Sequence, residues 1–173
     1  MNITSPAFTE NAKIPKIYAK LGGNQRPPLE IGDVPANAKS LAIICHDPDA
    51  PGSDGFYHWT VWNVPGKTAE IAGESLPADA VEGITSWGRP GWNGPQPPFG
   101  THRYQFYVYA LDTTLDLPDT RHHQSQRTHR RPHAAHHRSG CAHWQVWRFR
   151  YFAARLMVNI TVIHIKIFAD HDT

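Results

Sequence analysis

Four residues whose side chains can exchange protons or form strong hydrogen bonds stand at the ends of apolar segments: Asp47, His58, His102 and Tyr104. Asp47 follows the first of three such segments, His58 opens the second, and the other two residues open the third. Strands that neighbour one another in a sheet bring their ends to a common edge, where functional residues are often found. We therefore expect the four side chains to converge on one pocket.

These four side chains fit three kinds of site. Two His and one carboxylate can hold a metal such as iron. A carboxylate that orients a His forms an acid–base pair. His and Tyr donors, together with loop N–H groups, form an anion pocket. The anion pocket is slightly favoured, because the loop before His102 is rich in glycine, with Gly94 and Gly100, and can offer backbone N–H groups.

Three strands must position these residues. The segment Ser40–Cys45 is apolar almost throughout, which is typical of a strand buried on both faces. The segment His58–Val64 is predicted as the second strand, and Pro65 ends it. In the third, Tyr104–Leu111, successive side chains alternate between two faces of the strand.

A stiff loop, GPQPPFG at residues 94–100, leads into the third strand. Its three prolines fix φ, and its two glycines can adopt conformations that other residues avoid. A loop of this kind holds His102, Arg103 and Tyr104 still at the mouth of the strand, as a binding site requires.

The composition predicts one β-rich domain with many turns. The chain has 173 residues, with 15 Pro and 13 Gly, and no long helical periodicity occurs before residue 119. Short edge strands are predicted at Ile14–Tyr18 and Pro27–Ile31, where strand prolines are tolerated. The polar segment Lys67–Ile84 is predicted as loop. Cys45 lies in an apolar run and is expected to be a buried thiol outside any disulfide framework.

The sequence carries no pattern for secretion or membrane insertion. Its first 15 residues have neither a basic region nor an apolar core, so no signal peptide is predicted. No segment before residue 150 is long and apolar enough to span a bilayer. We therefore expect a cytoplasmic protein.

Three ordered motifs resemble the phosphatidylethanolamine-binding protein family, and within it the bacterial branch called Raf-kinase-inhibitor-like. The motifs are DPDAP at Asp47–Pro51, HWTVWNVP at His58–Pro65 and GPQPPFGTHRY at Gly94–Tyr104. Three motifs in order and at fitting intervals are far more specific than any one of them. The resemblance implies a mainly β fold with a large central antiparallel sheet, a second smaller sheet and few short helices. It also implies a small anion-binding pocket at one end of the central sheet.

Carried over position by position, the resemblance assigns ligand binding to seven residues: Asp47, His58, Pro97, Gly100, Thr101, His102 and Tyr104. Family members bind phosphate-like groups and phospholipid head groups, and some act through protein partners. The resemblance therefore implies a binding protein without a cofactor, rather than an enzyme, and without a nucleic-acid partner. A protein partner of the kinase or protease class and a homodimer are further partners considered for this sequence. Arg103 is expected in a buried ion pair rather than on the ligand.

The sequence changes character near residue 120. Residues 1–120 hold 8 Lys/Arg and 13 Asp/Glu, whereas residues 121–173 hold 9 and 2 and are rich in His. This tail fits a metal-binding His tract, a basic arm for nucleic acid or membranes, a solvated disordered tail, or the product of a reading-frame shift. The frameshift is favoured, because the family resemblance ends where the composition changes. We predict a family-like domain at 1–120 and an atypical tail at 121–173 that does not dock on it.

Overall fold

The structure, a computed structural model, describes residues 1–71, 73, 75–117 and 163–170. It contains a five-stranded sheet in the order β6-β4-β3-β7-β8 and a three-stranded sheet in the order β1-β2-β5, with every pair antiparallel. The strands are β1 (Asn2–Thr4), β2 (Leu29–Gly32), β3 (Ser40–Asp47), β4 (Phe56–Pro65), β5 (Glu70–Ile71), β6 (Val81–Glu82), β7 (Thr101–Leu111) and β8 (Ile163–Asp170). One short 3₁₀ helix, Lys16–Tyr18, is the helical element of the described residues. The mainly β fold with a large central and a smaller second sheet is confirmed.

Strand β3 is the centre of the larger sheet and pairs with β4 on one side and β7 on the other. All of its residues except His46 are buried, as its apolar composition predicts. Because both pairings are antiparallel, the end of β3 lies beside the starts of β4 and β7. Asp47 pairs with Phe56, and His46 pairs with Gln105. The topology therefore brings the candidate residues to one end of the sheet.

The two faces of the larger sheet pack on separate apolar clusters. One cluster joins the two sheets and includes Leu29, Trp59, Ile71, Tyr104 and Phe106. The other covers the opposite face and includes Ala42, Ile44, Tyr109 and Leu111. The alternation along β7 thus places the ring of Tyr104 in the core between the sheets, while the start of the strand stays at the sheet end.

Strand β8 comes from the region that the sequence assigned to an undocked tail. It pairs with β7 over eight residues, and the side chains of Ile167 and Ala169 are fully buried. It also exchanges backbone hydrogen bonds with the N-terminal segment, from Ile14 N–H to the Phe168 carbonyl and from Phe168 N–H to the Ala12 carbonyl. The expectation that nothing after residue 120 docks is wrong for Ile163–Asp170, because an apolar β-prone segment pairs readily with an open sheet edge. Residues 118–162 lie outside the described residues, so the domain division at residue 120 stays a prediction.

Three local predictions differ from the structure. The strand expected at Ile14–Tyr18 is wrong: Pro15, with φ of −62°, starts the 3₁₀ turn instead, and the Ala19 N–H bonds to the Lys16 carbonyl at 3.0 Å. The strand expected near Pro28 exists as β2 but lies in the middle of the smaller sheet. The segment expected to be loop contains β5 and β6, which are two residues each and too short for a periodic signal.

Candidate functional site

An Asp–His pair lies at the centre of the candidate site. The Nδ1 of His102 donates to the Oδ2 of Asp47 at 2.8 Å, and both residues are almost fully buried. The other carboxylate oxygen of Asp47 accepts the Asp49 N–H at 2.9 Å, which folds the turn after β3 around the side chain. These contacts fix the His102 ring with its proton on Nδ1, so its Nε2 is left for another partner.

His58 is held differently. Its Nδ1 donates to the Asn93 carbonyl at 2.6 Å, and the Asn93 N–H bonds back to the His58 carbonyl at 3.1 Å. Burial lowers the pKa of His58 to about 4, although the Asn93 carbonyl and the Asp47 charge act in the opposite direction. The side chain is therefore neutral near pH 7, and its Nε2 is a hydrogen-bond acceptor.

The Tyr104 hydroxyl makes no hydrogen bond of ordinary length and angle in the described part of the chain, although the Asp47 carboxylate lies near it. The residue is fully buried, and its ring meets the His58 ring edge-on with centroids 5.0 Å apart. Burial raises the pKa of the phenol, and the nearby Asp47 charge raises it further, so the hydroxyl stays protonated. A buried donor without an acceptor is rare in folded proteins and is compensated when a ligand supplies the acceptor.

An ion pair fastens the turn after β3 to the start of β7. The guanidinium of Arg103 donates to Asp49 from Nε at 2.8 Å and from its NH2 group at 2.6 Å, and the Arg103 backbone N–H donates to the same carboxylate at 2.8 Å. The hydrogen bonds from Arg103 lower the pKa of Asp49 to about 2. The ion pair expected for Arg103 is present, but its expected burial is wrong: the side chain is 46% exposed, because it lies on the edge of the turn.

A family model described as phosphatidylethanolamine-binding protein matches residues 4–142. This chain belongs to that family. A UPF0098 protein from the archaeon Methanothermobacter thermautotrophicus is 46% identical over 123 residues, which cover 68% of this chain and 80% of the relative. A UPF0098 protein from Chlamydia muridarum is 44% identical over 119 residues, which cover 66% of this chain and 79% of the relative.

Two crystal structures of family proteins have the same fold. E. coli YbcL, described as a new member of the mammalian family, superimposes with a TM-score of 0.75 at 26% identity, covering 98% of this chain and 97% of YbcL. A family homologue from Chlamydia trachomatis superimposes with a TM-score of 0.67 at 28% identity, covering 97% of this chain and 94% of its own. The family resemblance read from the three motifs is confirmed.

The remaining predicted residues of this family member lie on the loop into β7. Pro97 is buried, whereas Gly100, with φ of 62°, and Thr101 are exposed at the start of the strand. The Thr101 hydroxyl donates to Asp170 of β8 at 2.7 Å rather than toward the histidines. The structure therefore gathers Asp47 and the two histidines with Tyr104, and it places Gly100 and Thr101 at the rim.

Sequence reasoning missed two parts of the site. Asn93 acts through its backbone carbonyl, which leaves no signal in the residue type, although its place just before the motif GPQPPFG could have drawn attention to it. Asp49 was visible inside the motif DPDAP, but its partnership with Arg103 joins residues 54 positions apart and depends on the fold.

Two observations bear on a metal site and on the reactivity of the Cys45 thiol. No three His, Cys, Asp or Glu side chains converge as metal ligands within the ranges that the structure describes. The Cys45 thiol is confirmed as buried, and burial raises its pKa well above the ordinary value, which disfavours a thiolate nucleophile. The described residues contain no helix that has the length and hydrophobicity to cross a membrane.

Proposed function

We propose that this protein binds small phosphate-bearing anions, such as inorganic phosphate and phosphorylated head groups, at the end of the central sheet. The observation that carries the proposal is the buried Tyr104 hydroxyl, a donor without an acceptor beside the Asp47–His102 pair. A phosphoryl oxygen placed there accepts this hydrogen bond. Membership of the phosphatidylethanolamine-binding protein family favours the same ligand class.

The charges at the site favour a ligand that is bound mainly by hydrogen bonds. Asp47 carries one negative charge next to His102, and His58 is neutral near pH 7 because of burial. His102 donates from Nδ1 to Asp47, which leaves its Nε2 for the ligand. The N–H groups at the Gly100 end of the loop lie at the exposed rim and are the predicted cradle for the remaining ligand oxygens.

Regulation of a protein partner belongs to the same proposal. Phe99 is 65% exposed and its ring lies 6.0 Å from the His102 ring, so a partner that covers this rim would contact the site and its ligand together. The cytoplasmic location expected from the sequence stays a prediction.

Isothermal titration calorimetry of the wild-type protein with phosphate and with phosphoethanolamine tests the proposal. We expect both ligands to bind, and Tyr104→Phe to weaken binding about tenfold or more because it removes one donor to a charged group. Tyr107→Phe is the matched control: it removes a hydroxyl from the same strand, where it bonds to Gln105, away from the site. The absence of binding by the wild type, or equal affinities of the two variants, would overturn the proposal.

His102→Ala separates binding from catalysis. We expect this variant to lose phosphate binding, since the ring joins Asp47 to the ligand. An enzyme that uses the Asp47–His102 pair as an acid–base pair would instead turn over a phosphoester or acyl ester, and His102→Ala would abolish that turnover. Hydrolysis of p-nitrophenyl phosphate or p-nitrophenyl acetate by the wild type, lost in the variant, would favour the enzyme.

A further inference from the structure

The site presents acceptors as well as a donor, which is unusual for an anion pocket. The His58 proton is used on the Asn93 carbonyl, so the Nε2 on the other side of the ring carries a lone pair. The His58 ring meets the Tyr104 ring edge-on, with centroids 5.0 Å apart. A ligand atom that meets Nε2 must therefore bring a hydrogen.

The Asp47 carboxylate adds a second acceptor. Each of its oxygens already accepts one hydrogen bond, from His102 and from the Asp49 N–H. A carboxylate has about four lone-pair positions, so two remain. An oxyanion without hydrogens can pair with neither these positions nor the His58 Nε2, and two negatively charged oxygens in contact repel each other.

We propose that the pocket recognises the hydrogen that a phosphate ligand carries, and that it selects protonated phosphate monoanions over oxyanions of the same charge and shape that have no hydrogen. The inference rests on the proposed function and specifies its ligand further. The ligand O–H donates to the His58 Nε2 or to Asp47, while an unprotonated oxygen accepts from Tyr104. A site built to accept a ligand hydrogen strongly rejects an analogue without one, because its buried acceptors are then left unpaired.

Several titratable groups surround His58 and must be kept constant in a test. Asp47 acts on it from β3 and Tyr104 contacts it from β7, with His102 joined through Asp47. His46, which stacks on Tyr57, acts on it electrostatically. A change of pH alters these groups together with the ligand. A comparison of two ligands at one pH holds the protein in one state and isolates the hydrogen on the ligand.

Methyl phosphate and methyl sulfate form the matched pair. At pH 5, below the second pKa of a phosphomonoester at about 6, methyl phosphate is mainly a monoanion with one O–H. Methyl sulfate is a monoanion of nearly the same shape with no O–H. We expect calorimetry to show methyl phosphate binding at least about tenfold more tightly at pH 5. The ratio of the two affinities should fall at pH 7.5, where the phosphate has lost its last hydrogen.

The outcomes separate this inference from the function on which it rests. Equal affinities for the two ligands at pH 5 would overturn the inference and leave phosphate binding standing. Failure of both methyl phosphate and inorganic phosphate to bind would overturn the proposed function, and the inference with it. A ratio that stays constant from pH 5 to pH 7.5 would also count against recognition of the ligand hydrogen.

A variant tests the acceptor directly. Asp47→Asn replaces a group that only accepts hydrogen bonds with one that can also donate them. Methyl sulfate should therefore bind more tightly, and the ratio of methyl phosphate affinity to methyl sulfate affinity should fall. Asp49→Asn is the matched control, because it removes the same charge from a carboxylate that bonds to Arg103 instead of facing His58. Asp49→Asn should weaken the binding of methyl phosphate and of methyl sulfate by the same factor and leave the ratio of the two affinities unchanged. If Asp47→Asn does not fold, the comparison of the two ligands on the wild type decides alone.

Discussion

The two histidines of the site differ because their Nδ1 atoms have different partners. His102 donates to a carboxylate, whereas His58 donates to a backbone carbonyl inside the core. Burial keeps His58 neutral near pH 7, so this histidine does not act as a cation at the site.

The buried, neutral His58 makes the free energy of unfolding depend on pH. Its pKa is about 4 in the folded protein and about 6.5 when unfolded, so the unfolded chain binds the proton more readily between these values. This contribution to stability is fully present above about pH 6.5 and is lost as the pH falls toward about 4. It amounts to about 3 kcal/mol over that window.

Urea denaturation at several pH values from 4 to 7 measures this effect. We expect the free energy of unfolding of the wild type to rise with pH more steeply than that of His58→Gln, because Gln does not titrate. The difference between the two curves isolates His58 from the other acidic and basic groups. Parallel curves across the whole window would show that the folded protein does not depress the pKa of His58.

The residues of the site were largely predictable, but their protonation was not. Asp47, His58, His102 and Tyr104 lie within recognisable motifs, and the structure brings them together. Whether the Nε2 of a neutral His accepts or donates a hydrogen bond depends on whether Nδ1 carries the proton, and therefore on the atom that Nδ1 contacts. For His58 that atom is a main-chain carbonyl of a residue 35 positions away, which no side-chain pattern reveals.

At the level of elements, the ion pair between the turn after β3 and the start of β7 positions the site. Asp49 receives three hydrogen bonds from Arg103 and donates its own N–H to Asp47. A movement of the Asp49 turn therefore displaces the carboxylate that orients His102. Exposed pairs of this kind add little stability, so their main effect here is on geometry.

Arg103→Ala should weaken phosphate binding while changing the free energy of unfolding by less than about 1 kcal/mol. Arg103→Lys should recover part of the affinity, because it keeps the charge but not the two-pronged geometry. Lys13→Ala is the control: it breaks another exposed ion pair, whose partner Asp170 bonds to Thr101 at the rim but not to the Asp47–His102 pair. Calorimetry and urea denaturation on the three variants measure both quantities. Equal affinity of Arg103→Ala and Lys13→Ala would rule out the positioning role.

Local sequence signals predicted the long strands better than the short elements. The apolar run of β3 and the alternation of β7 gave their identity and approximate bounds, because burial of these strands follows directly from their side chains. Pro15 was compatible with an edge strand and with a turn; in the structure it starts the 3₁₀ turn, and the preceding Ile14 donates its N–H to the Phe168 carbonyl. That contact joins two distant parts of the chain, so a local pattern could not contain it.

The edge strand β8 should contribute to stability through its inward-facing side chains. Ile167 is fully buried in the cluster between the sheets. We expect Ile167→Ala to lower the free energy of unfolding by about 2–5 kcal/mol, because it leaves a cavity in a packed core. Phe168→Ala, on the adjacent half-buried position, should cost less. Equal unfolding curves for Ile167→Ala and the wild type would show that β8 does not pack on the core.

At the scale of the whole molecule, the amino-acid composition changes near residue 120. The structure nevertheless pairs β7, from before that point, with β8, from after it. Family membership and the two-sheet architecture follow from the motifs in the first 104 residues and are confirmed. The interpretation of the composition change near Thr120 as a frameshift stays a prediction, which resequencing of the gene around that codon tests. The pairing of β8 with β7 places a segment from the basic region next to His102, at the register position of Ala169.

A chain that ends at Thr120 tests whether the first 120 residues form the complete domain. Without β8, strand β7 becomes an exposed edge, and the buried positions of Ile167 and Ala169 are empty. We expect the truncated chain to lose at least about 3 kcal/mol in free energy of unfolding relative to the full chain, and to bind phosphate more weakly because the start of β7 loses its neighbour. A synthetic peptide, IHIKIFAD, should restore part of the lost stability and part of the lost phosphate affinity, because it adds a strand to that edge. The same peptide with Ile167→Asp should restore neither. Identical cooperative unfolding of the truncated and full chains would show instead that residues 1–120 are a complete domain to which β8 adds no stability.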